Sequence, residues 1–385
     1  MNVVTPAFAA ATRRSRKILA IEIAGLGDLV HSLPALWALR CAYPAAELHC
    51  MVQEVNLSFL QMLPWIDKAI PYCRSIDAGI GYHLSMLRRL RAAHYDVAVD
   101  LIGSDYASAI AGLSGAGRRL IRRPGGSRSR WAWRLFASDL ADVPFRTGAM
   151  YEQRLRCLQM AGFAAVEAKF NLAAAAADTI VDDLRRDAPA GYIHVSPYTK
   201  LMRKELPPVQ MAELLLGLHR RFPSRRLVIS CSRKSREREA LAQLLPELPF
   251  QALKVFDGEL SLPQLFRVIE GAALHVGGDT GTIHFAWLAR TPSVSWHRQI
   301  ESMNDWAPKG EQHAVLSCPS DPADYLRGID TESLLRSAAA VIRGMPATPM
   351  DGPCEWTPAP AGDPGQPGER VEIGRPAVVA ELRAC

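Results

Sequence analysis

The 385 residues contain eight cysteines, at positions 41, 50, 73, 157, 231, 318, 354 and 385, yet no Cys-x-x-Cys pair. Scattered single cysteines exclude a zinc ribbon or a redox dithiol and supply no disulfide framework, so they read as reduced thiols. No uncharged apolar run reaches the roughly 20 residues that span a bilayer. A secretory leader is not recognisable either. The Arg13-Arg14-Ser15-Arg16-Lys17 charges follow a very short apolar piece instead of preceding one. These absences make the cytoplasm the expected location. Two common phosphate loops are missing as well. No Gly-Lys-Ser/Thr completes a P-loop, and Gly25-x-Gly27 has Val30 where a dinucleotide fingerprint needs Gly or Ala. No Asp-x-Asp lies at a strand end, so no essential metal and no other cofactor is expected. Neither charge sign dominates: the formal net charge is +6, which suits an anionic partner without demanding one.

The composition, 49% hydrophobic and 22% charged, supports sizeable cores, and the length suggests two domains. Ile18-Leu19-Ala20-Ile21 with Ile23 is a short apolar run of the kind that forms a buried parallel strand. It breaks at Gly25-Leu26-Gly27, and from Asp28 the residues Leu29, Leu33, Leu36 and Leu39 return at helical spacing. Asp28 therefore sits at a helix start. There it caps free N–H groups, or it faces the ligand crevice at the carboxyl end of a first parallel strand.

Strands then alternate with helices: strands at 47–52, 69–72 and 95–101, helices at 57–63, 84–93 and from Ser104. That order implies a parallel sheet with right-handed crossovers. Between Arg118 and Arg134 the chain carries seven arginines and no acid, interleaved with Trp131, Trp133 and Phe136. This reads as a solvated basic loop with a few buried aromatics, or as a surface for an anionic acceptor. No nucleic-acid module accompanies it, and no nucleic-acid partner is expected.

The second half opens with a strand at Tyr192–Ser196 and a polar, basic loop that holds Thr199 and Lys204 ahead of Pro207-Pro208. A strand, a basic loop and a helix with proline in its first turn form an anion-binding arrangement. A helix at 210–220, a strand at 226–230 and a helix at 262–270 follow. The strand Ala272–Gly277 then runs into Gly278-Asp279-Thr280-Gly281-Thr282-Ile283-His284. Glycines let backbone approach a phosphate, and His284 lies one helical turn after Thr280 on the same face. A strand at 291–296 and a closing helix at 331–343 complete this half, and no internal repeat is visible.

Leu26-Gly27-Asp28-Leu29-Val30-His31-Ser32-Leu33-Pro34-Ala35-Leu36 resembles the opening motif of glycosyltransferase family 9, the heptosyltransferases and their relatives. Asp279-Thr280-Gly281-x-x-His284 resembles the same family's glycine-rich donor block. The resemblance covers roughly residues 17–343 and implies an α/β fold of GT-B architecture, two Rossmann-like parallel-sheet domains facing a cleft. The expected divisions are 1–172 on the acceptor side, 173–345 binding the nucleotide sugar, and a Pro/Gly-rich disordered tail at 346–385.

The implied activity is inverting transfer of a sugar, heptose first, from a nucleotide-sugar donor such as ADP-heptose to lipopolysaccharide core or another glycan. Asp28 would be the base. Lys204, Thr199, Asp279, Thr280, Gly281 and His284 would hold the donor, and Gly27, His31, Arg128 and Arg130 would lie on the acceptor side. Peripheral contact with the inner face of the inner membrane would follow from such an acceptor. Two turns depart from the family pattern, Cys231–Glu237 and Trp296-His297-Arg298-Gln299. They leave two alternatives open: a non-catalytic nucleotide- or glycan-binding protein on the same scaffold, or a transferase using a different sugar nucleotide.

Overall fold

The computed structural model describes residues 7–73, 79–124, 131–144, 146–167, 169–173, 179–319, 321 and 323–344. After a short helix α1 (Ala7–Thr12), the apolar run forms β1 (Lys17–Glu22), and α2 (Leu26–Ala42) follows the glycine turn. The chain continues through β2 (Glu47–Gln53), α3 (Leu57–Leu60), β3 (Lys68–Tyr72), α4 (Gly79–Ala92) and β4 (Val97–Asp100). Then come α5 (Asp105–Leu113), β5 (Arg118–Pro124), α6 (Trp131–Phe136), β6 (Asp139–Val143) and α7 (Met150–Met160). All six strands are parallel, in the order β3-β2-β1-β4-β5-β6.

The second half repeats the plan. It runs through α8 (Ile180–Asp187), β7 (Tyr192–Ser196), α9 (Pro208–Arg221), β8 (Arg226–Cys231), α10 (Ser235–Leu244), β9 (Lys254–Asp257) and α11 (Leu262–Glu270). It ends with β10 (Leu274–Gly278), α12 (Gly281–Leu288), β11 (Ser293–Arg298), α13 (Met303–Trp306), β12 (His313–Cys318) and α14 (Thr331–Arg343). Its sheet is also parallel, ordered β12-β11-β10-β7-β8-β9, which is the first sheet's winding again. In each sheet the order reverses between the first and fourth strands, β1 with β4 and β7 with β10. Ligands of open α/β sheets bind at the carboxyl ends of strands at such switch points.

The first part of the basic stretch, up to Pro124, is not the solvated loop that the composition of the whole stretch suggests. Arg118–Pro124 is a sheet strand, because Leu120 and Ile121 are fully buried. Its arginines are taken up locally. Arg118 pairs with Asp139, Arg123 with Asp142, and Arg119 donates to the carbonyls of Phe136 and Ala116. Arg122 is buried against Gln153 at 2.9 Å. Arg128 and Arg130 lie outside the described residues, as does the tail.

The two halves meet through apolar and polar contacts. Phe59 of α3 packs on Phe285 of α12 and Phe266 of α11, with ring centroids 4.8 and 5.9 Å apart. Arg146 donates its N–H to Asp305 at 3.3 Å and pairs with Glu301. Arg267 reaches the Ala173 carbonyl at 3.0 Å.

Candidate active site

The first half of the site is the start of α2. Its third residue, Asp28, turns its carboxylate back so that Oδ2 accepts the Gly25 N–H at 3.2 Å. The other oxygen, Oδ1, accepts from Arg154 Nη2 of α7 at 2.9 Å. Arg154 Nη1 also donates to the Asp28 carbonyl and to Ser32 Oγ, the latter at 2.5 Å, and lies 3.4 Å from Glu22 Oε2. Ser32 Oγ in turn donates to Glu22. Glu22 is wholly buried and Arg154 is 1% exposed, whereas the Asp28 side chain keeps 29% exposure. Of this cluster, therefore, only Asp28 presents its charge to a ligand. Burial pushes the Glu22 carboxyl up to about 7; Arg154 opposes the rise and Asp28 adds to it.

The other half is built by the loop after β7 and by the turn from β10 into α12. Lys204 Nζ donates to Asp279 Oδ2 at 2.6 Å, with both side chains partly open. The loop stands on the end of β10. A Cβ on Gly278 would lie 2.8 Å from Trp296 Nε1 and 2.9 Å from Thr199 Cγ2, so that close approach requires glycine. Trp296 Nε1 donates to the Lys204 carbonyl at 3.0 Å and fixes the lysine's backbone. Burial raises the Asp279 carboxyl, but His297 and Lys204 together hold it below the usual carboxylate range.

Thr280 opens α12 in extended conformation. The helix's first-turn N–H groups have no intrahelical acceptors and carry the positive end of its dipole. The Thr282 hydroxyl is buried and has no hydrogen-bond partner among the described residues.

His31 and His284 join the halves. His31 Nε2 and His284 Nδ1 are 3.2 Å apart, and His31 stacks on Trp287 at 5.0 Å with Trp306 edge-on at 5.4 Å. Burial and then the neighbouring His284 hold His31 well below its ordinary value. Burial also lowers His284, although Asp279 and Asp28 both pull it up. The His284 ring thus lies within electrostatic reach of the two carboxylates on opposite sides of the cleft. Gly27 makes this possible. A Cβ there would come within 2.5 Å of His284 Cδ2, and one on Gly281 within 2.7 Å of Leu26 Cδ2.

The structure therefore brings Gly27, Asp28, His31, Lys204, Asp279, Thr280, Gly281 and His284 to one place. Thr199 is adjacent but turned inward: it is buried, its hydroxyl donates to the Leu201 carbonyl at 2.8 Å, and its N–H donates to Glu205. In the first divergent turn, Glu237 accepts the Ser232 N–H at 3.0 Å while Lys234 is exposed at the start of α10. In the second, His297 is buried beside Asp279, bonded to Ser295 Oγ at 3.0 Å, and burial pushes it down to about 4.

Sequence reasoning missed Glu22 and Arg154. A glutamate closing an otherwise apolar strand was the available signal for the first. Arg154 gave none, since one arginine in an amphipathic helix is ordinary.

The family model for glycosyltransferase family 9 (heptosyltransferase) matches residues 83–347. Those residues include the Lys204, Asp279 and His284 side of the cleft and begin after the Asp28 motif. Among characterised proteins the chain is similar to lipopolysaccharide heptosyltransferase 3 of Escherichia coli K12. The two are 21% identical over 278 residues, 70% of this chain and 78% of that protein. Among solved structures it resembles a glycosyl transferase family 9 protein from Veillonella parvula, with a TM-score of 0.71 at 14% identity, covering 86% of this chain and 98% of that one. It also resembles the E. coli ADP-heptose LPS heptosyltransferase II, with a TM-score of 0.69 at 20% identity, covering 85% of this chain and 99% of that one. The two wound parallel sheets share the GT-B architecture of these structures.

Proposed function

The chain belongs to glycosyltransferase family 9, and from this we propose that it transfers heptose from ADP-heptose to a hydroxyl of a lipopolysaccharide core, with inversion. The observation that carries the reading is the placement of Asp28. Its partly exposed carboxylate stands at the first sheet's switch point, across the His31–His284 contact from the Lys204–Asp279 pair and the start of α12. In the proposed step the acceptor oxygen attacks the anomeric carbon and its proton passes to Asp28. The bond from that carbon to the diphosphate breaks, and ADP leaves.

Lys204 and the N–H groups at the start of α12 take up the charge on the leaving diphosphate, so no metal is assigned to the step. The donor and acceptor classes are those in the names of the relatives. Such an acceptor would place the enzyme at the inner face of the inner membrane, as a peripheral protein. Among the described residues no helix is long and apolar enough to cross it.

Two measurements test this. In a thermal-shift screen of ADP-, GDP-, UDP- and dTDP-sugars, ADP-heptose should stabilise the protein most. Asp28→Asn should lower the transfer rate by about 10²–10⁴-fold while donor affinity stays within a few-fold. The amide keeps an oxygen to accept the Gly25 N–H or the Arg154 guanidinium, so a purely structural Asp28 predicts a lower melting temperature and no rate loss of that size. Transfer by Asp28→Asn near the wild-type rate would return Asp28 to that structural role. Preference for another nucleotide would reassign the donor.

A further inference from the structure

Glu22 closes β1 where Leu19, Ala20 and Ile21 before it are all fully buried, and it is fully buried itself. Its Oε2 accepts from Ser32 and faces Arg154, but its Oε1 is buried with no hydrogen-bond partner among the described residues. A buried carboxylate with one oxygen unpaired costs far more than the protonated acid in the same place. The guanidinium of Arg154 that faces Glu22 also holds both the carboxylate and the carbonyl of Asp28. One cation is thus shared by two carboxyl groups, of which one is sealed in the core and the other opens on the cleft.

We infer that Glu22 is a positioning residue that sets, through Arg154, how strongly Asp28 accepts the acceptor's proton. The inference rests on Asp28 as the base. When Glu22 is ionised, the charge of Arg154 is divided between two anions, and Asp28 remains an effective proton acceptor. When Glu22 is protonated, that charge bears on Asp28 alone and makes it a poorer one. The acceptor's proton ends on Asp28 and leaves to solvent; Glu22 neither receives it nor touches substrate.

The groups facing Glu22 are Arg154 of α7, Asp28 and Ser32 of α2, Asp100 of β4, Arg122 of β5 and Cys50 of β2. Asp100 is occupied by the N–H groups of Ile102 and Gly103 and by the Ser108 hydroxyl. Arg122 is occupied by Gln153. Burial and the nearby Glu22 push the Cys50 thiol well above its usual range, which leaves it neutral. Glu22 is the member of this set that both faces Arg154 and, lifted by burial to about 7, changes charge near neutrality.

The test follows the pH dependence of kcat and, separately, the carboxyl 13C resonance of Asp28, assigned by its loss in Asp28→Asn. In the wild type both should show an inflection near pH 7. Glu22→Gln keeps an oxygen for Ser32 but cannot titrate. It should abolish that inflection in both readouts and lower kcat above pH 8 on the order of ten-fold, with donor KM unchanged. Ser32→Ala leaves every charge in place, removes a bond that favours the Glu22 anion, and should move the inflection to higher pH. It decides the matter if Glu22→Gln does not fold. A merely structural Glu22 would change melting temperature and leave both pH profiles as they are, and that result overturns the inference. Wild-type transfer by Asp28→Asn would defeat the base reading instead, while the resonance would still report whether Glu22 and Asp28 are coupled.

Discussion

Lys204 and Asp279 illustrate how one residue pair supports two accounts. The 2.6 Å bond between them can exist to neutralise a partly buried carboxylate, or the lysine can be held there for a diphosphate. A double substitution separates the two. Lys204→Met strands the Asp279 carboxylate, and because both side chains retain some exposure the cost should be about 1–2 kcal/mol, below that of a fully buried pair. Adding Asp279→Asn removes the stranded charge and should restore the melting temperature. If Lys204 holds the leaving diphosphate, nucleotide-sugar affinity should stay low in the double variant, by about 10-fold or more. Calorimetric titration with ADP reads the affinity; its full recovery alongside stability would make the lysine a structural partner only. The sequence exposed both residues through their setting in a basic loop and a glycine turn. It could not show that they bond to each other, 75 residues apart.

Among the elements, the decisive meeting is between the starts of α2 and α12. Each offers a glycine to the other: Gly27 lies under the His284 ring, and Gly281 under the Leu26 side chain. A methyl group added at the two positions meets different neighbours. At Gly281 it meets the tip of a leucine that can rotate away, 2.7 Å off at first. At Gly27 it meets a buried ring, fixed by His31 and crowded by Trp306, at 2.5 Å. Gly27→Ala should therefore be the more damaging, at about 1–3 kcal/mol as for other overpacked sites. It should also slow transfer more than Gly281→Ala, because it pushes His284 away from α2. Chemical denaturation and steady-state rates of the two variants check this, and equal effects would mean that the helices have room to slide apart.

For the molecule as a whole, the many buried histidines set the response to acid. Burial holds His194 down at about 3 and His297 and His313 at about 4, and it lowers His31, His49, His275 and His284 as well. A group depressed on folding contributes stability above its unfolded value and loses it as pH falls toward its folded value. These histidines should therefore cost stability from about pH 6.5 down to about 4. Glu22 and Asp100, lifted by burial to about 7 and about 6, act with the opposite sign: their contribution is present at low pH and is lost as pH rises through those values. Seven histidines outweigh two carboxyls, so the melting temperature should drop between pH 7 and pH 5. A scan that is flat or rises on acidification would show that the carboxyls govern instead.

The sequence by itself determined the alternation of strands and helices in both halves, because buried parallel strands are near-continuous apolar runs and the glycine turns after β1 and β10 are local signals; the order of the strands in each sheet came from the tertiary structure. It marked Asp28 and Asp279 because each sits beside a glycine at a strand-to-helix junction, and His284 because it follows Thr280 by one helical turn. Four strands in each half were legible, and β5, β6, β9 and β12 were not. These lie toward the sheet margins, where short and partly polar segments such as Lys254–Asp257 lack an apolar signature and are strands through pairing alone. Tertiary structure alone decided that four arginines of the basic stretch are spent on neighbours, and that Thr199 turns its hydroxyl inward. It also decided that Glu22 and Arg154 stand behind Asp28. Those facts depend on which chain segments burial brings together, and a contact across 126 residues, such as Arg154 with Asp28, leaves no local pattern in the sequence.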